Sequence, residues 1–159
     1  MKKKQLIFLF LLLSFSLENN SQDGFSFLDK TTLKERVSFK LINNLIVIPL
    51  EINGRTLSFI LDSGVNKTIL FNISKNDSIG LNNVEKVNLQ GLGNGKSVQA
   101  LISKNNKINI KGLTSSNETL YVIIEDFFDL SAKMGTTIHG IVGYNLLKNF
   151  VVKINYKSK

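Results

Sequence analysis

Two apolar runs flank a short polar loop near the middle of the chain, and this loop restricts the fold more than any other stretch. Residues 59–61 and 68–70 are largely apolar, and Asp62-Ser63-Gly64 follows the first run directly. An unpaired carboxylate loses several kcal/mol on leaving water, so a chain keeps one beside a buried strand only for a purpose. Ser63 can fix the loop through its hydroxyl, and Gly64 permits a backbone path that a side chain would block. The sequence therefore predicts a small rigid loop that presents one carboxylate.

Short apolar segments separated by asparagine and glycine turns occupy most of the chain. Strands are predicted over residues 37–41, 45–52, 55–61, 68–71, 84–89, 97–102, 107–110, 119–124 and 151–156. Asn43-Asn44 and Asn53-Gly54 predict turns, and Pro49 is expected at a sheet edge or bulge because it lacks an N–H. A short helix is predicted over residues 145–150, and a brief helical or irregular crossing over residues 125–133. This pattern predicts an all-β domain that is closed or strongly curved, with one short C-terminal helix.

The N-terminus has the pattern of an export signal. Met1-Lys2-Lys3-Lys4 precedes an apolar run over residues 6–17, and a polar stretch follows it. Twelve residues at about 1.5 Å each cannot cross a hydrocarbon core of roughly 30 Å. We predict a signal peptide over residues 1–21, a lead-in over 22–36, a single domain over 37–159 and a periplasmic or extracellular location. No stable membrane span is expected after cleavage; a retained membrane anchor is the alternative.

Charge and side-chain chemistry exclude several classes of function. The formal net charge is +8, and it becomes +6 once Lys2, Lys3, Lys4 and Glu18 leave with the signal. No basic stripe with interleaved aromatic residues occurs, so nucleic-acid binding is not expected, whereas loose attraction to an anionic surface remains open. The chain has no cysteine and one histidine, His139, so we expect no disulfide, no metal and no cofactor. His139 is expected to be structural.

A second apolar element near the C-terminus completes a recognisable pair. Ile141-Val142-Gly143 is followed at once by Tyr144 and by Asn145-Leu146-Leu147, which open the predicted helix. Together with residues 60–64, these residues resemble the retropepsin-like aspartic proteases, specifically the exported single-domain relatives of bacteria. The resemblance extends over residues 45–156 and implies a closed β-barrel lobe.

The resemblance also implies roles for particular residues. Asp62 would be the catalytic carboxylate, Ser63 and Gly64 would complete the active-site loop, and Ile141, Val142 and Gly143 would support it. The glycine-rich stretch Gly91-Leu92-Gly93-Asn94-Gly95, within residues 90–96, lies where the family has a flap over the substrate; a plain hairpin turn is the equal alternative. The substrate would be a peptide or a protein.

One carboxylate loop per chain has a consequence for assembly. Two carboxyls that share one proton can activate a water and polarise the peptide carbonyl. None of the other aspartates lies in such a loop: Asp23, Asp29, Asp77, Asp126 and Asp129. The resemblance therefore implies an aspartic endopeptidase whose dyad forms when two chains meet at Asp62, with an acidic optimum of activity.

One departure from the family leaves alternatives open. The bacterial relatives usually continue with a turn and another strand beyond the position of residues 151–156, whereas this chain stops at Lys159. Residues 151–156 could serve as a terminal strand in a dimer interface, or the gene could be truncated and dimerisation impaired. The rival interpretation is a non-catalytic β domain, degenerate or truncated, that binds a peptide or a cell-envelope component.

Overall fold

The computed structural model describes residues 24–73, 79–89, 97–124 and 129–157, and within them it contains nine strands and two short helices. In chain order they are β1 (Ser26–Phe27), β2 (Lys40–Ile42), β3 (Leu45–Ile52), β4 (Arg55–Asp62), β5 (Thr68–Leu70), β6 (Glu85–Leu89), β7 (Val98–Ile110), β8 (Leu113–Ile123), α1 (Leu130–Met134), β9 (Gly140–Gly143) and α2 (Tyr144–Leu147). The predicted signal peptide and the predicted flap lie outside the described residues. In the described ranges, no helix has the length and apolar character needed to cross a membrane.

Six of the strands close into a barrel. Neighbours follow the order β8, β5, β9, β4, β3 and β7, and β7 then pairs with β8 to complete the circle. The β4–β9 and β5–β8 pairs are parallel, and the other pairs in the barrel are antiparallel. The prediction of an all-β closed barrel with a short C-terminal helix is confirmed, although that helix begins at Tyr144 and ends at Leu147 rather than covering residues 145–150.

Both predicted turns are present, and their central residues have the positive φ values that asparagine and glycine tolerate. Asn43 and Asn44 have φ values of 47° and 64°, and Asn53 and Gly54 have φ values of 48° and 88°. Positive φ at both central residues matches the right-handed twist of the flanking strands. On the side of β3 away from β4, β2 pairs with β3 as far as Val47, and β7 pairs with β3 from Glu51 onwards. Pro49 lies in the gap between these two paired stretches. Its missing N–H therefore costs no hydrogen bond between strands.

Buried side chains form two clusters, one inside the barrel and one outside it. The barrel core includes Phe25, Leu50, Ile52, Phe59, Leu70, Ile108, Leu120 and Val142. The outer cluster, which consists of Val47, Ile60, Phe71, Ile123, Met134 and Ile138, places α1 against the outer face of β3 and β4. Successive residues of β4 point to opposite faces, so Phe59 enters the barrel core while Ile60 enters the outer cluster. Burial on both faces holds β4 firmly up to its last residue.

One predicted turn is wrong. Residues 103–106 were expected to separate two strands, but β7 runs through them with an irregular register against β8. Ser103 and Asn106 are buried there, and their side chains are satisfied locally: the Ser103 hydroxyl donates to the Asn82 carbonyl at 2.7 Å. The polar residues therefore mark a bulge within a long strand rather than a chain reversal.

The predicted last strand is also wrong. Residues 151–156 form no strand in the structure, and Val151, Val152, Ile154 and Tyr156 are exposed. Alternating apolar residues predict a strand only when a partner strand and a core are available, and this segment has neither within the described residues. An aromatic contact joins Tyr156 to Phe39, with ring centroids 6.0 Å apart. The strand predicted over residues 37–41 is only partly present: β2 begins at Lys40 and ends at Ile42.

Candidate active site

Asp62 lies where the chain leaves the barrel. It is the last residue of β4, and its side chain is exposed although Phe59 and Ile60 just before it are buried. The parallel register of β4 with β9 pairs Leu61 with Val142 and Asp62 with Gly143. The structure thus brings the two sequence motifs side by side, and it presents the carboxylate at the rim of the barrel.

Glycine is required at position 143 by close backbone contact. A Cβ there would overlap the Asp62 carbonyl oxygen and would lie 2.5 Å from the Val65 carbonyl oxygen. Gly140 is equally confined, since a Cβ would overlap the Ile69 carbonyl oxygen. These two glycines let β9 pass directly against the backbones of β4, β5 and the loop between them.

The loop after Asp62 is closed by hydrogen bonds from its own backbone. The Gly64 N–H donates to Asp62 Oδ1 at 2.9 Å, and the Val65 N–H donates to the Asp62 carbonyl at 3.1 Å. The Tyr144 N–H then donates to the Val65 carbonyl at 2.8 Å, which attaches the loop to the start of α2. One oxygen of the exposed carboxylate is therefore oriented by the backbone.

Ser63 and the hydrophobic supports differ in their surroundings. Ser63 is exposed, and its hydroxyl makes no hydrogen bond to the described residues of its own chain. Val142 is fully buried in the barrel core, while Ile141 is partly buried and packs on the outer cluster. These two side chains fix β9 from opposite faces, so Gly143 is held in position beside Asp62.

A buried polar network behind the loop was not found from the sequence. Glu118 of β8 is only 3% exposed, and its Oε1 accepts a hydrogen bond from the Ser115 hydroxyl at 2.9 Å. Asn145 of α2 donates to Glu118 Oε2 at 3.4 Å, which links β8 to the helix that follows Gly143. Ser115 and Glu118 occur in a polar stretch that gives no sign of burial, whereas Asn145 was noted only as part of the second motif.

His139 is hydrogen-bonded to the backbone of the strand that ends at Asp62. The Ser58 N–H donates to His139 Nδ1 at 3.1 Å, so the imidazole is attached to the backbone of β4. This contact suits the structural role expected for His139. Among the described residues, no group of three or more His, Cys, Asp or Glu side chains is arranged to hold a metal ion.

The comparison with protein families identifies the class of the barrel and its loop. A family model described as aspartyl protease matches residues 48–146. The match begins in β3 and ends in α2, so it contains both motifs and covers more than half of the chain. The chain belongs to the aspartyl protease family, and the resemblance to retropepsin-like proteases is confirmed. A search of curated proteins finds no match. Family membership supports peptide hydrolysis as the general activity.

Proposed function

We propose that the protein is an aspartic endopeptidase that acts as a homodimer, with Asp62 of each chain forming the catalytic dyad. The register that sets Asp62 beside Gly143 carries this proposal, because it builds the rigid carboxylate loop that the chemistry needs. Each chain supplies one such loop, and the exposed carboxylate of Asp62 would be accessible to a second copy. Ser63 is exposed, so its hydroxyl would be accessible to the loop of the second copy.

Two carboxyls at this site would share one proton. The ionised carboxylate takes a proton from a water, and the resulting hydroxide bonds to the peptide carbonyl carbon while the other carboxyl protonates the carbonyl oxygen. The tetrahedral diol then collapses: the first carboxyl gives its proton to the amide nitrogen and the C–N bond breaks. One diol hydroxyl passes its proton to the second carboxylate, which restores the shared proton. Repulsion between two adjacent carboxylates favours the state in which the pair holds one proton. Residues 90–96 would cover the substrate as a flap. The reaction calls for neither a metal nor a cofactor.

Replacing the carboxylate tests this assignment. Asp62→Asn keeps the size of the side chain and an acceptor for the Gly64 N–H, so the fold should survive while peptide cleavage falls below detection. Asp29→Asn is the matched control, because Asp29 is an exposed aspartate outside the loop whose side chain bonds only locally to Thr31 and Thr32. Cleavage of a mixed peptide library is measured from acidic to alkaline pH, with thermal unfolding of each variant.

The expected result is activity in the wild type and in Asp29→Asn, highest at acidic pH, and none in Asp62→Asn at an unchanged unfolding temperature. Wild-type cleavage by Asp62→Asn would refute the assignment. An optimum well above neutrality would refute the shared proton.

We also propose that the protein is exported to the periplasm or the extracellular space. Lys2, Lys3 and Lys4 before the apolar run over residues 6–17 support this location. N-terminal sequencing of the protein from cell fractions tests it: a mature chain that starts near residue 22 outside the cytoplasm is expected, and an intact Met1 in the cytoplasm would contradict it.

A further inference from the structure

The lining of a polar cleft of about 300 Å³ includes the residue at the end of the carboxylate loop and residues at α2 and at its C-terminal end. Lys67, Lys104, Lys148 and Asn145 line it, together with the buried Glu118 and further backbone and amide groups. The three lysines are exposed, so their ammonium groups can approach a bound molecule without leaving water. The cleft therefore has the chemistry of a site for a negatively charged group.

Two of the three lysines in the cleft belong to segments that adjoin the carboxylate loop, and most of the remaining lining comes from β7 and β8. Lys67 stands five residues after Asp62, at the end of the loop and directly before β5. Lys148 stands five residues after Gly143, and its N–H donates to the Tyr144 carbonyl at 2.8 Å at the end of α2. Five residues of extended chain span at most about 18 Å, so Lys67 lies no farther than that from Asp62. A peptide held at Asp62 can therefore reach Lys67 within about five residues of the cleaved bond.

The charges in the cleft are not balanced within the chain. Lys104 forms an ion pair with Glu85 at 2.9 Å, but Lys67 and Lys148 form no ion pair with the described residues. Glu118 is bonded by the neutral donors of Ser115 and Asn145 rather than by a lysine. Three lysines against Glu85 and Glu118 leave a formal excess of positive charge.

We infer that this cleft binds a carboxylate of the substrate, namely an aspartate or glutamate side chain within about five residues of the scissile bond. The inference rests on the proposed function, and it assigns to the enzyme a preference for acidic peptides. Lys67 and Lys148 are the specificity residues: each offers a flexible ammonium group that no partner in the described chain neutralises.

The experiment compares peptides that differ only in charge. A peptide cleaved by the wild type is prepared with either Glu or Gln at each position up to five residues on both sides of the bond. Cleavage is measured for the wild type, Lys67→Gln, Lys148→Gln, the double variant and the control Lys40→Gln, which removes an exposed lysine on β2. Binding of the same peptides to Asp62→Asn, with and without the two lysine changes, is measured separately by fluorescence anisotropy.

At one position, or at two adjacent positions, Glu should raise kcat/KM and tighten binding over Gln. Each lysine variant should reduce that preference by about two- to five-fold, the range for an exposed ion pair, and the double variant should abolish it. Salt should weaken the preference in the wild type, because the Debye length falls from about 10 Å at 0.1 M to about 3 Å at 1 M. Lys40→Gln should behave as the wild type.

The two hypotheses fail in different ways. Equal cleavage of Glu and Gln peptides at every position, or a preference that survives in the double variant, would overturn the cleft and leave the protease assignment intact. If no peptide is cleaved, library peptides with Glu or Gln are used for the binding arm alone. A lysine-dependent preference there would support the cleft while refuting the protease, and no preference would overturn both.

Discussion

Single residues at the loop carry constraints that backbone geometry makes explicit. The carboxylate of Asp62 is oriented by one N–H, and Gly143 is pressed against the two carbonyls that close the loop. Replacement of the two residues should have different effects: Asp62 is the proposed catalytic carboxylate, whereas Gly143 leaves space for two backbone carbonyls. Stability measurements can therefore separate their roles.

Gly143→Ala should destabilise the protein strongly. The new Cβ would meet the Asp62 and Val65 carbonyl oxygens, which are backbone atoms and cannot rotate away. Overpacking of this kind costs about 1–3 kcal/mol and displaces the loop, so activity should fall with stability. Gly80→Ala is the control, because a Cβ at Gly80 has no atom within 4 Å and should change the free energy of unfolding by less than about 0.5 kcal/mol. Urea unfolding measures both variants, and equal stabilities would contradict the steric argument.

The elements show which sequence signals suffice and which do not. β3, β4 and their Asn53-Gly54 turn were predicted almost to the residue, because the turn is local and apolar residues recur along both strands. The extent of β7 was missed, since buried Ser103 and Asn106 resemble a turn until their partners across the sheet are known. The prediction of a strand over residues 151–156 was wrong for the opposite reason: apolar and polar residues alternate locally, but no strand of the described chain pairs with them. The pairing of Asp62 with Gly143 could be predicted only through the family resemblance, because the motifs are about 80 residues apart.

Glu118 provides a test of how β8 and α2 are joined. Glu118→Gln replaces one carboxylate oxygen with an NH₂ group that must face either the Ser115 hydroxyl or the Asn145 amide, both of which now donate. An unsatisfied buried donor costs about 1–3 kcal/mol. Glu85→Gln, which breaks only the exposed pair with Lys104, should cost no more than about 1 kcal/mol. Chemical denaturation measures the free energy of unfolding of both variants. A smaller decrease for Glu118→Gln than for Glu85→Gln would show that the buried network does not contribute to stability.

At the scale of the whole molecule, one barrel is structurally closed, whereas the proposed catalytic dyad is divided between two chains. All six barrel strands find partners within the chain, so the fold does not need a second copy to complete its sheet. The proposed dyad would need a second copy, since each chain offers a single Asp62. Folding and activity should therefore depend differently on protein concentration.

Mixing active and inactive subunits tests this directly. A fixed amount of wild type is incubated with increasing Asp62→Asn and then assayed with a cleavable peptide. If subunits exchange at random and both Asp62 residues are needed, an equal amount of variant should lower activity to about half, and a nine-fold excess to about one-tenth. Serum albumin at the same mass should leave activity unchanged. A monomeric enzyme would keep full activity at every ratio, and sedimentation of the wild type as a strict monomer at high concentration would exclude the dyad, because one chain cannot place two copies of Asp62 across a symmetry axis.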